Sequence, residues 1–531
     1  MKVVLVSLHS LRSYSVPYLH ALVEQEGHDV KSVFFKLTTS RATEGDVKAF
    51  VDLIEDLAPQ VVGFSVMSTF YKIAAHLTHL IKQKTKAFVV WGGIHPTVCP
   101  EECLEHADAV CVGEGEGALL ELLAALDSGS DYRELQNIWT KTDGRIRGNP
   151  MRPLIEDLDS MPFPDYTQRN KYYLDSGRLI EGIGGEDVVN SYRILMSRGC
   201  VHNCNYCSNS LLRTLYAGLG PYVRRRSVDS VIEELEAARS IYKNASTVSV
   251  IDDSFMFEKV WLEEFSEKYS SKIRLLFSAY THPNLVKEEF IKLLAPTGFF
   301  YTIMGIQSGS ERIRKEYYNR HTPDEQIIRA GQIFREYGVM ACYDLIVQCP
   351  YETDQDRMAT LELLASLPRP YQVDPFPLQF FPGTAITEQA LHDGKIRPEQ
   401  VETVAERGYD VWCASLQLNQ PLSDMRWDVL YFLAKKKRTS RQLLMRLARS
   451  KFFARHIKGI TRVLRVLPID NYQFHQVMID NIIQRVYHGI YTILRVPWQR
   501  HLTFLSRHFK YLLLLVRQRW VEHAKRPSSL S

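Results

Sequence analysis

The stretch Ser197-Arg198-Gly199-Cys200-Val201-His202-Asn203-Cys204-Asn205-Tyr206-Cys207 organises the second half of this chain. Its three cysteines have a C-x3-C-x2-C spacing and follow the apolar run 192–196, which predicts a strand. Three thiolates leave one iron of a [4Fe–4S] cluster without a protein ligand. A structural zinc site would normally add a fourth Cys or His. Zinc and three incidental buried thiols are therefore the alternatives to an iron–sulfur cluster.

The composition is that of a globular protein with several domains. The chain has 531 residues, of which 45% are hydrophobic and 24% charged. It contains no uninterrupted apolar run near the roughly 20 residues that a transmembrane helix needs. Residues 1–6 are interpreted as a first strand rather than a signal peptide. Nine cysteines, three of them in one loop, favour a reducing compartment, so we expect a cytoplasmic protein.

The charge is unevenly distributed along the chain. Residues 424–531 contain 22 Lys or Arg against 5 Asp or Glu, whereas the preceding residues contain 43 against 56. Basic amphipathic segments in this tail indicate peripheral contact with the inner face of a membrane. A helical cap with a solvated basic face is the alternative. Nucleic acid is a less favoured partner, because no RNA-binding module is recognised.

Residues 1 to about 130 alternate short apolar strands with helical patterns, which predicts a doubly wound parallel sheet. Ligands of such sheets bind at the carboxyl ends of the strands. We therefore expect three loops to line one mouth. These loops are residues 7–12, 65–69 and 92–97.

From residue 191 to about 385 the strand–helix alternation resumes and predicts a barrel, complete or partial, with its chemistry at the carboxyl ends of the strands. Between the two α/β regions, residues 131–190 are predicted to be a linker that contains one hairpin. Residues 386–531 are predicted to be a basic helical region. The predicted barrel strands are 192–196, 247–251, 274–279, 299–306, 340–347 and 377–381.

The cysteine loop resembles that of the radical S-adenosylmethionine (SAM) superfamily, which carries C-x3-C-x-aromatic-C at the end of a first strand. The resemblance implies a partial six-unit barrel and a [4Fe–4S] cluster held by Cys200, Cys204 and Cys207. SAM would chelate the open iron, and an external flavodoxin- or ferredoxin-like protein would supply one electron to cleave it to a 5′-deoxyadenosyl radical. The residues implied to contact SAM are Tyr206, Asp252, Asp253, Ser278, Gln307 and Ser308.

The N-terminal region resembles the cobalamin (B12)-binding domain that precedes many radical SAM domains. The resemblance rests on Gly63-Phe64-Ser65, on 92–97 followed by Pro100-Glu101-Glu102, and on Gly113-Glu114-Gly115-Glu116. The D-x-H-x-x-G fingerprint of other cobalamin proteins reads Ser7-Leu8-His9-Ser10-Leu11-Arg12 here. A flavodoxin-like domain with a vestigial site is the alternative. The residues implied to contact cobalamin are His9, Ser65, Gly92, Gly93, His95 and Glu114.

Together the two resemblances imply a cobalamin-dependent radical SAM enzyme that methylates an unactivated carbon of a small-molecule or lipid substrate. An anaerobic oxidative cyclase, as among the tetrapyrrole cyclases, is the second enzymatic interpretation. A membrane-docked binding protein with relic cofactor sites is an interpretation from another class. In each enzymatic case we expect the mouths of the two domains to face each other.

Overall fold

The computed structural model describes most of the chain in two compact units, Met1–Ala454 and Arg455–Ser531. Both predicted sheets lie in the first unit. The second unit is described only as far as residue 466. The described residues are 1–8, 14–35, 42–175, 177–182, 191–243, 245–255, 258–402, 422–436 and 439–466.

The first sheet is built from alternating strands and helices, as the sequence predicts. These elements are β1 (Lys2–Ser7), α1 (Ser15–Gln25), β2 (Asp29–Phe35), α2 (Glu44–Leu57), β3 (Val61–Ser65), α3 (Tyr71–Lys84), β4 (Phe88–Gly92), α4 (Ile94–Val98), α5 (Pro100–Cys103), β5 (Ala109–Cys111) and α6 (Glu116–Ser128). The five strands are parallel and lie in the order β5-β4-β3-β1-β2.

Both faces of this sheet are covered, which explains why its strands are apolar throughout. Successive strand residues point to opposite faces. In β1, Val4 and Val6 belong to one buried cluster, and Val3 and Leu5 belong to another. A doubly wound sheet buries its strands in this way, so the fold class predicted for this region is confirmed.

The predicted linker differs from the structure, because it contributes four strands to the first sheet. These strands are β6 (Ile138–Thr142), β7 (Arg145–Arg147), β8 (Lys171–Asp175) and β9 (Arg178–Glu181). The predicted hairpin joins β6 to β7 through Asp143 and Gly144, whose φ angles are 50° and 75°. β8 pairs in parallel with β2, far away in the chain. The sheet thus has nine strands, and this first domain extends beyond residue 130.

The second sheet begins just before the cysteine loop. Its region contains β10 (Ser191–Ile194), β11 (Ser197–Arg198), α7 (Ser208–Leu215), β12 (Arg224–Arg225), α8 (Val228–Ile241), β13 (Thr247–Val250), α9 (Lys259–Lys272), β14 (Leu276–Thr281), α10 (Glu288–Thr297), β15 (Phe299–Gln307), α11 (Asp324–Glu336), β16 (Met340–Val347), α12 (Asp354–Ser366) and β17 (Gln372–Pro377). Six parallel strands have the order β10-β13-β14-β15-β16-β17, as expected of a partial barrel. β11 and β12 form a separate antiparallel pair.

Two predicted strands are displaced from their positions in the structure. The last strand was predicted at 377–381, but in the structure it is β17. Pro375 and Pro377 in β17 have no N–H group and cannot donate the hydrogen bonds that a central strand makes on both sides. Within the sheet β17 pairs with β16 alone, and prolines are tolerated at such an edge. β14 continues to Thr281, so Ser278 lies within this strand rather than at its end.

The C-terminal helices begin as a cap on the barrel. They are α13 (Ala385–His392), α14 (Pro398–Glu402), α15 (Leu422–Ala434), α16 (Arg441–Arg449) and α17 (Lys451–Val466). α15 packs on α12, where Trp427 Nε1 donates to Asp354 Oδ1 at 3.2 Å and Tyr431 donates to the Arg357 carbonyl at 3.1 Å. Within the described parts of the chain, no helix combines the length and apolarity that crossing a membrane requires.

Candidate functional site

A cavity of about 420 Å³ lies between the carboxyl ends of the two sheets. Ser65 and Gly92 end strands β3 and β4, Glu114 follows β5, and all three line the cavity on one side. Ser197 and Asp253 follow β10 and β13 and line it on the other. The mouths of the two domains therefore face one shared space, in the arrangement expected from the sequence.

The three loop cysteines lie close to this cavity. Cys204 is buried, and Cys200 and Cys207 are half-buried. Burial, assisted by the nearby groups Cys204 and Asp253, raises the pKa of Cys200, and the same causes raise the pKa of Cys207 to about 11. Such thiols remain protonated at neutral pH unless a metal displaces the proton.

The spacing of these three thiols differs from that of a site for one ion. In the described residues, the groups of three metal-ligating side chains whose ligand atoms lie within 4.8 Å of one another do not include Cys200, Cys204 and Cys207. A multi-iron cluster needs thiols that are farther apart than the ligands of one ion, because each thiol binds a different iron. Three thiols from one loop are a donor set that a [4Fe–4S] cluster accepts.

Arg320 connects the cysteine loop to the second sheet. Its Nη1 donates to Cys204 Sγ at 3.4 Å and to Tyr206 Oη at 3.2 Å, and its Nη2 donates to the Gly305 carbonyl at 2.5 Å. The residue is 6% exposed. These contacts hold Cys204 and Tyr206 against β15, to which Gly305 belongs. Arg320 is thus a positioning residue for this loop, and no pattern in the sequence indicated it.

Asp252 and Asp253 have different environments although they are adjacent. Buried Asp252 accepts from the Met196 amide at 2.7 Å and from Ser197 Oγ at 2.5 Å, and burial raises its pKa to about 6. It thereby fixes the backbone that enters the cysteine loop. Asp253 instead lines the cavity. Of the two predicted SAM ligands, only Asp253 is exposed in the cavity.

The other residues predicted to contact SAM do not line the cavity. The Tyr206 ring packs edge-on against Tyr318 at 5.2 Å, and Ser308 is buried, with its hydroxyl accepting from the Ser310 amide at 3.2 Å. Gln307 has a φ of 66°, and its Nε2 lies 2.4 Å from where a Cβ on Gly305 would stand. Gln307 therefore covers Gly305, and Ser278 lies in the middle of β14.

Two glycines let the backbone form the wall of the cavity in the first domain. Gly93 has a φ of 102°, which side chains disfavour. A Cβ at this position would stand 2.9 Å from the Val66 carbonyl oxygen. Gly92 has ordinary room, since its nearest neighbour, Cys111 Cβ, would lie 3.7 Å away. This glycine wall beside Ser65 fits a bulky ligand that approaches the backbone closely.

Replacing Gly93 with alanine is expected to destabilise the first domain by about 1–3 kcal/mol, because the new residue must hold a positive φ against the Val66 carbonyl. Gly92→Ala is the matched control, with an expected change of less than about 1 kcal/mol. Chemical denaturation followed by circular dichroism measures both. Equal losses in the two variants would contradict the assigned strain.

Glu114 joins the two domains through ion pairs. Its carboxylate accepts from Arg198 Nη1 at 3.0 Å and from Arg224 Nη2 at 2.9 Å. Arg198 also pairs with Glu116 at 2.6 Å. Burial alone would raise the pKa of Glu114, but the two guanidinium groups outweigh it and the pKa is lowered. Glu114 is thus an interdomain ion-pair residue as well as part of the cavity wall, and the sequence did not indicate its partners.

His95, the predicted histidine that the structure describes, does not line the cavity. His9 lies outside the described residues. His95 is buried and absent from the cavity wall, and its Nδ1 lies 3.1 Å from Ser68 Oγ. Burial lowers the pKa of His95 to about 4, so the ring is neutral at physiological pH. Of the residues predicted to bind cobalamin, Ser65, Gly92, Gly93 and Glu114 meet at the cavity.

Each of the two α/β regions matches the model of a known protein family. Residues 2–123 match the model of the B12 binding domain, and residues 194–364 match that of the radical SAM superfamily. An uncharacterized methyltransferase of Pyrococcus horikoshii is 28% identical over 70% of this chain and 77% of its own length. The anaerobic magnesium-protoporphyrin IX monomethyl ester cyclase of Rubrivivax gelatinosus is 25% identical over 68% and 62%, respectively.

The fold is also similar to that of a solved structure. The radical S-adenosylmethionine methyltransferase TsrM from Kitasatospora setae superposes with a TM-score of 0.59 and 18% identity. The superposition covers 74% of this chain and 76% of that one. Both α/β regions found here therefore occur together in a known architecture.

Proposed function

We propose, on the premise that this chain is a radical SAM enzyme with a B12-binding domain, that it methylates an unactivated carbon of a small-molecule or lipid substrate. The observation that carries the proposal is the single cavity lined by both domains. A methyl donor held by the first domain and a radical generated at the second can meet one substrate only in such a shared space.

The residues present fit the three cofactors of such an enzyme. Cys200, Cys204 and Cys207 would hold the [4Fe–4S] cluster, and Asp253 would contact SAM. Ser65, Gly92 and Gly93, which line the cavity, would form the wall against cobalamin. When bound, the cluster and SAM supply a radical that removes hydrogen from carbon, and cobalamin supplies a methyl group. We infer that a flavodoxin- or ferredoxin-like partner delivers the electron.

The protein groups around the cavity have separate roles in this proposal. Asp252 and Arg320 position the cysteine loop from opposite sides, through Ser197 and through Cys204. Glu114 holds the two lining surfaces together through Arg198. These buried contacts would hold the cofactor-binding loops in place before substrate binds.

An oxidative cyclase is the second candidate, and the similarity to the Rubrivivax cyclase favours it. The products of SAM distinguish the two reactions. Methylation is expected to yield both S-adenosylhomocysteine and 5′-deoxyadenosine, whereas cyclisation yields 5′-deoxyadenosine without S-adenosylhomocysteine. Chromatography of anaerobic reactions with hydroxocobalamin and a reductant measures both. Absence of S-adenosylhomocysteine during turnover would reject the methyl transfer.

A relic binding protein is the third interpretation, and the intact thiol set argues against it. Cys200, Cys204 and Cys207 remain together beside a buried guanidinium and an accessible carboxylate. A protein that no longer bound a cluster would gain nothing from keeping an arginine buried against a thiol, since burying a charge is costly.

We propose that the basic C-terminal region contacts a membrane peripherally. α17 carries five Lys or Arg and no acidic residue in Lys451–Val466. Most of the basic region, residues 467–531, lies outside the described residues. Because α15 packs into the barrel, truncation after Ser450 tests this idea more cleanly than removal from residue 424.

The truncated chain is expected to lose salt-sensitive co-sedimentation with vesicles that contain anionic lipid, because basic residues near such a surface contribute about 1 kcal/mol each. Neutral vesicles are the control. Unchanged sedimentation with anionic vesicles would dismiss membrane contact through this region.

A further inference from the structure

A second group of metal-ligating side chains lies behind the glycine wall of the cavity. His95, Cys99 and Glu102 bring one nitrogen, one sulfur and one oxygen within 4.8 Å of one another. His95 lies in α4, Glu102 lies in α5, and Cys99 is the residue that joins these two short helices. None of the three lines the cofactor cavity. The group is therefore separate from the site of the proposed reaction.

His95 presents a nitrogen to this group that nothing in the described structure satisfies. The residue is 3% exposed, and its buried Nε2 has no hydrogen-bond partner among the described residues. Its Nδ1 lies 3.1 Å from Ser68 Oγ. When Nδ1 donates to this hydroxyl, the lone pair of Nε2 faces Cys99 and Glu102. Metal-binding histidines are oriented by a hydrogen bond of this kind from the other ring nitrogen.

The separation of the ligand atoms fits a metal better than a hydrogen bond. His95 Nε2 and Glu102 Oε2 are 3.6 Å apart, whereas an N–H···O bond spans about 2.7–3.2 Å. Two ligands about 2.0–2.2 Å from a tetrahedral zinc ion stand about 3.3–3.6 Å from each other. The observed gap is therefore of the size that a bridging zinc ion requires.

We propose that His95 Nε2, Cys99 Sγ and the Glu102 carboxylate bind a Zn²⁺ ion. Imidazole, thiolate and carboxylate are the donors that zinc accepts together, whereas magnesium and calcium prefer oxygen alone. The Glu102 side chain is 49% exposed, so water from that side completes the tetrahedron. The ion binds with loss of the Cys99 proton to solvent, and no oxidation or reduction occurs.

Such an ion would stiffen the wall of the cofactor cavity from behind. The His95 amide donates to the Val66 carbonyl at 3.1 Å, and α4 begins directly after Gly93. Zinc would tie α4 and α5 to each other, and through His95 to Ser68 in the turn that follows β3. The ion therefore has a structural role here, and this inference does not depend on which reaction the cavity supports.

Metal analysis of the anaerobically purified holoenzyme, after equilibration with zinc and gel filtration, tests the site. One zinc per chain is expected in addition to iron and cobalt. X-ray absorption at the zinc edge separates zinc from both other metals. The expected shell is one sulfur at about 2.3 Å and nitrogen or oxygen neighbours at about 2.0–2.1 Å.

Variants decide whether zinc sits at these residues or in the cysteine loop. Cys99→Ser should remove the sulfur neighbour and weaken zinc binding at least tenfold, and Glu102→Gln, on the exposed side, should weaken it without affecting folding. Cys103→Ser is the matched control, because Cys103 is a buried thiol of α5 outside the trio, and it should retain zinc. Two results would overturn the site. One is a zinc content of the unmodified enzyme that is no higher than that of the Cys99→Ser variant. The other is a Cys99→Ser variant whose zinc keeps its sulfur neighbour.

Discussion

Replacing Cys200, Cys204 and Cys207 together with alanine is expected to reduce the iron content from about four atoms per chain to background. Without the three thiolates no cluster can be held, so 5′-deoxyadenosine formation from SAM should fall to the level of a reaction without enzyme. Iron and sulfide analysis after anaerobic reconstitution, together with chromatography of the nucleoside products, measures both effects.

Cys349→Ala is the control for this triple variant. Cys349 is a buried thiol that follows β16, lies in a hydrophobic cluster with Tyr318, and is not one of the three cysteines of the loop. It should retain iron and activity, with at most a modest loss of stability from the missing sulfur. A triple variant that kept its iron and still produced 5′-deoxyadenosine would remove the basis for assigning the cysteine loop to a cluster.

Replacing Glu114 with alanine is expected to destabilise the contact between the two domains by about 3–5 kcal/mol, the cost of breaking a buried ion pair. The Arg224 and Arg198 side chains, 4% and 19% exposed, would lose their shared carboxylate. Unfolding in guanidinium chloride measures the loss, with each transition fitted separately and the free energy of the first transition compared between the variants.

Glu121→Ala, in the helix α6 that begins two residues after Glu114, provides a matched control. Glu121 pairs with Arg152 but is 51% exposed, so its removal should cost about 0–1 kcal/mol. A double Glu114→Ala/Arg224→Ala variant should recover part of the stability lost by Glu114→Ala, because Arg198 keeps its pair with Glu116 and the buried Arg224 charge is removed. If Glu114→Ala and Glu121→Ala lowered stability equally, the interdomain role of Glu114 would be rejected.

The sequence predicted those parts of the fold that depend on local patterns. Alternating apolar segments gave both parallel sheets, and the Asp143-Gly144 pair gave the hairpin between β6 and β7. It missed β8, because this strand pairs with β2 and nothing near it in the chain indicates that partner. The sequence analysis placed the last strand too late in the chain, because an edge strand that contains prolines resembles a loop in its composition.

The sequence located part of the cavity wall but none of the residues that support the candidate site. The cysteine spacing identified the loop, and the glycine pair identified the cavity wall. Arg320 and the arginine partners of Glu114 could not be found, since an isolated arginine carries no local signal. His95 does not line the cavity, because its ring packs against Tyr71 and its Nδ1 lies beside Ser68 Oγ. Only the tertiary structure creates these contacts, so the sequence could not indicate them.

The most direct test of the central claim, that the cysteine loop holds a cluster with one iron open to SAM, is electron paramagnetic resonance of the reduced, reconstituted chain. The spectrum should change when SAM is added, and SAM labelled with nitrogen-15 at its amino group should show hyperfine coupling to the cluster. A cluster spectrum that is identical with and without SAM, and free of that coupling, would contradict the account.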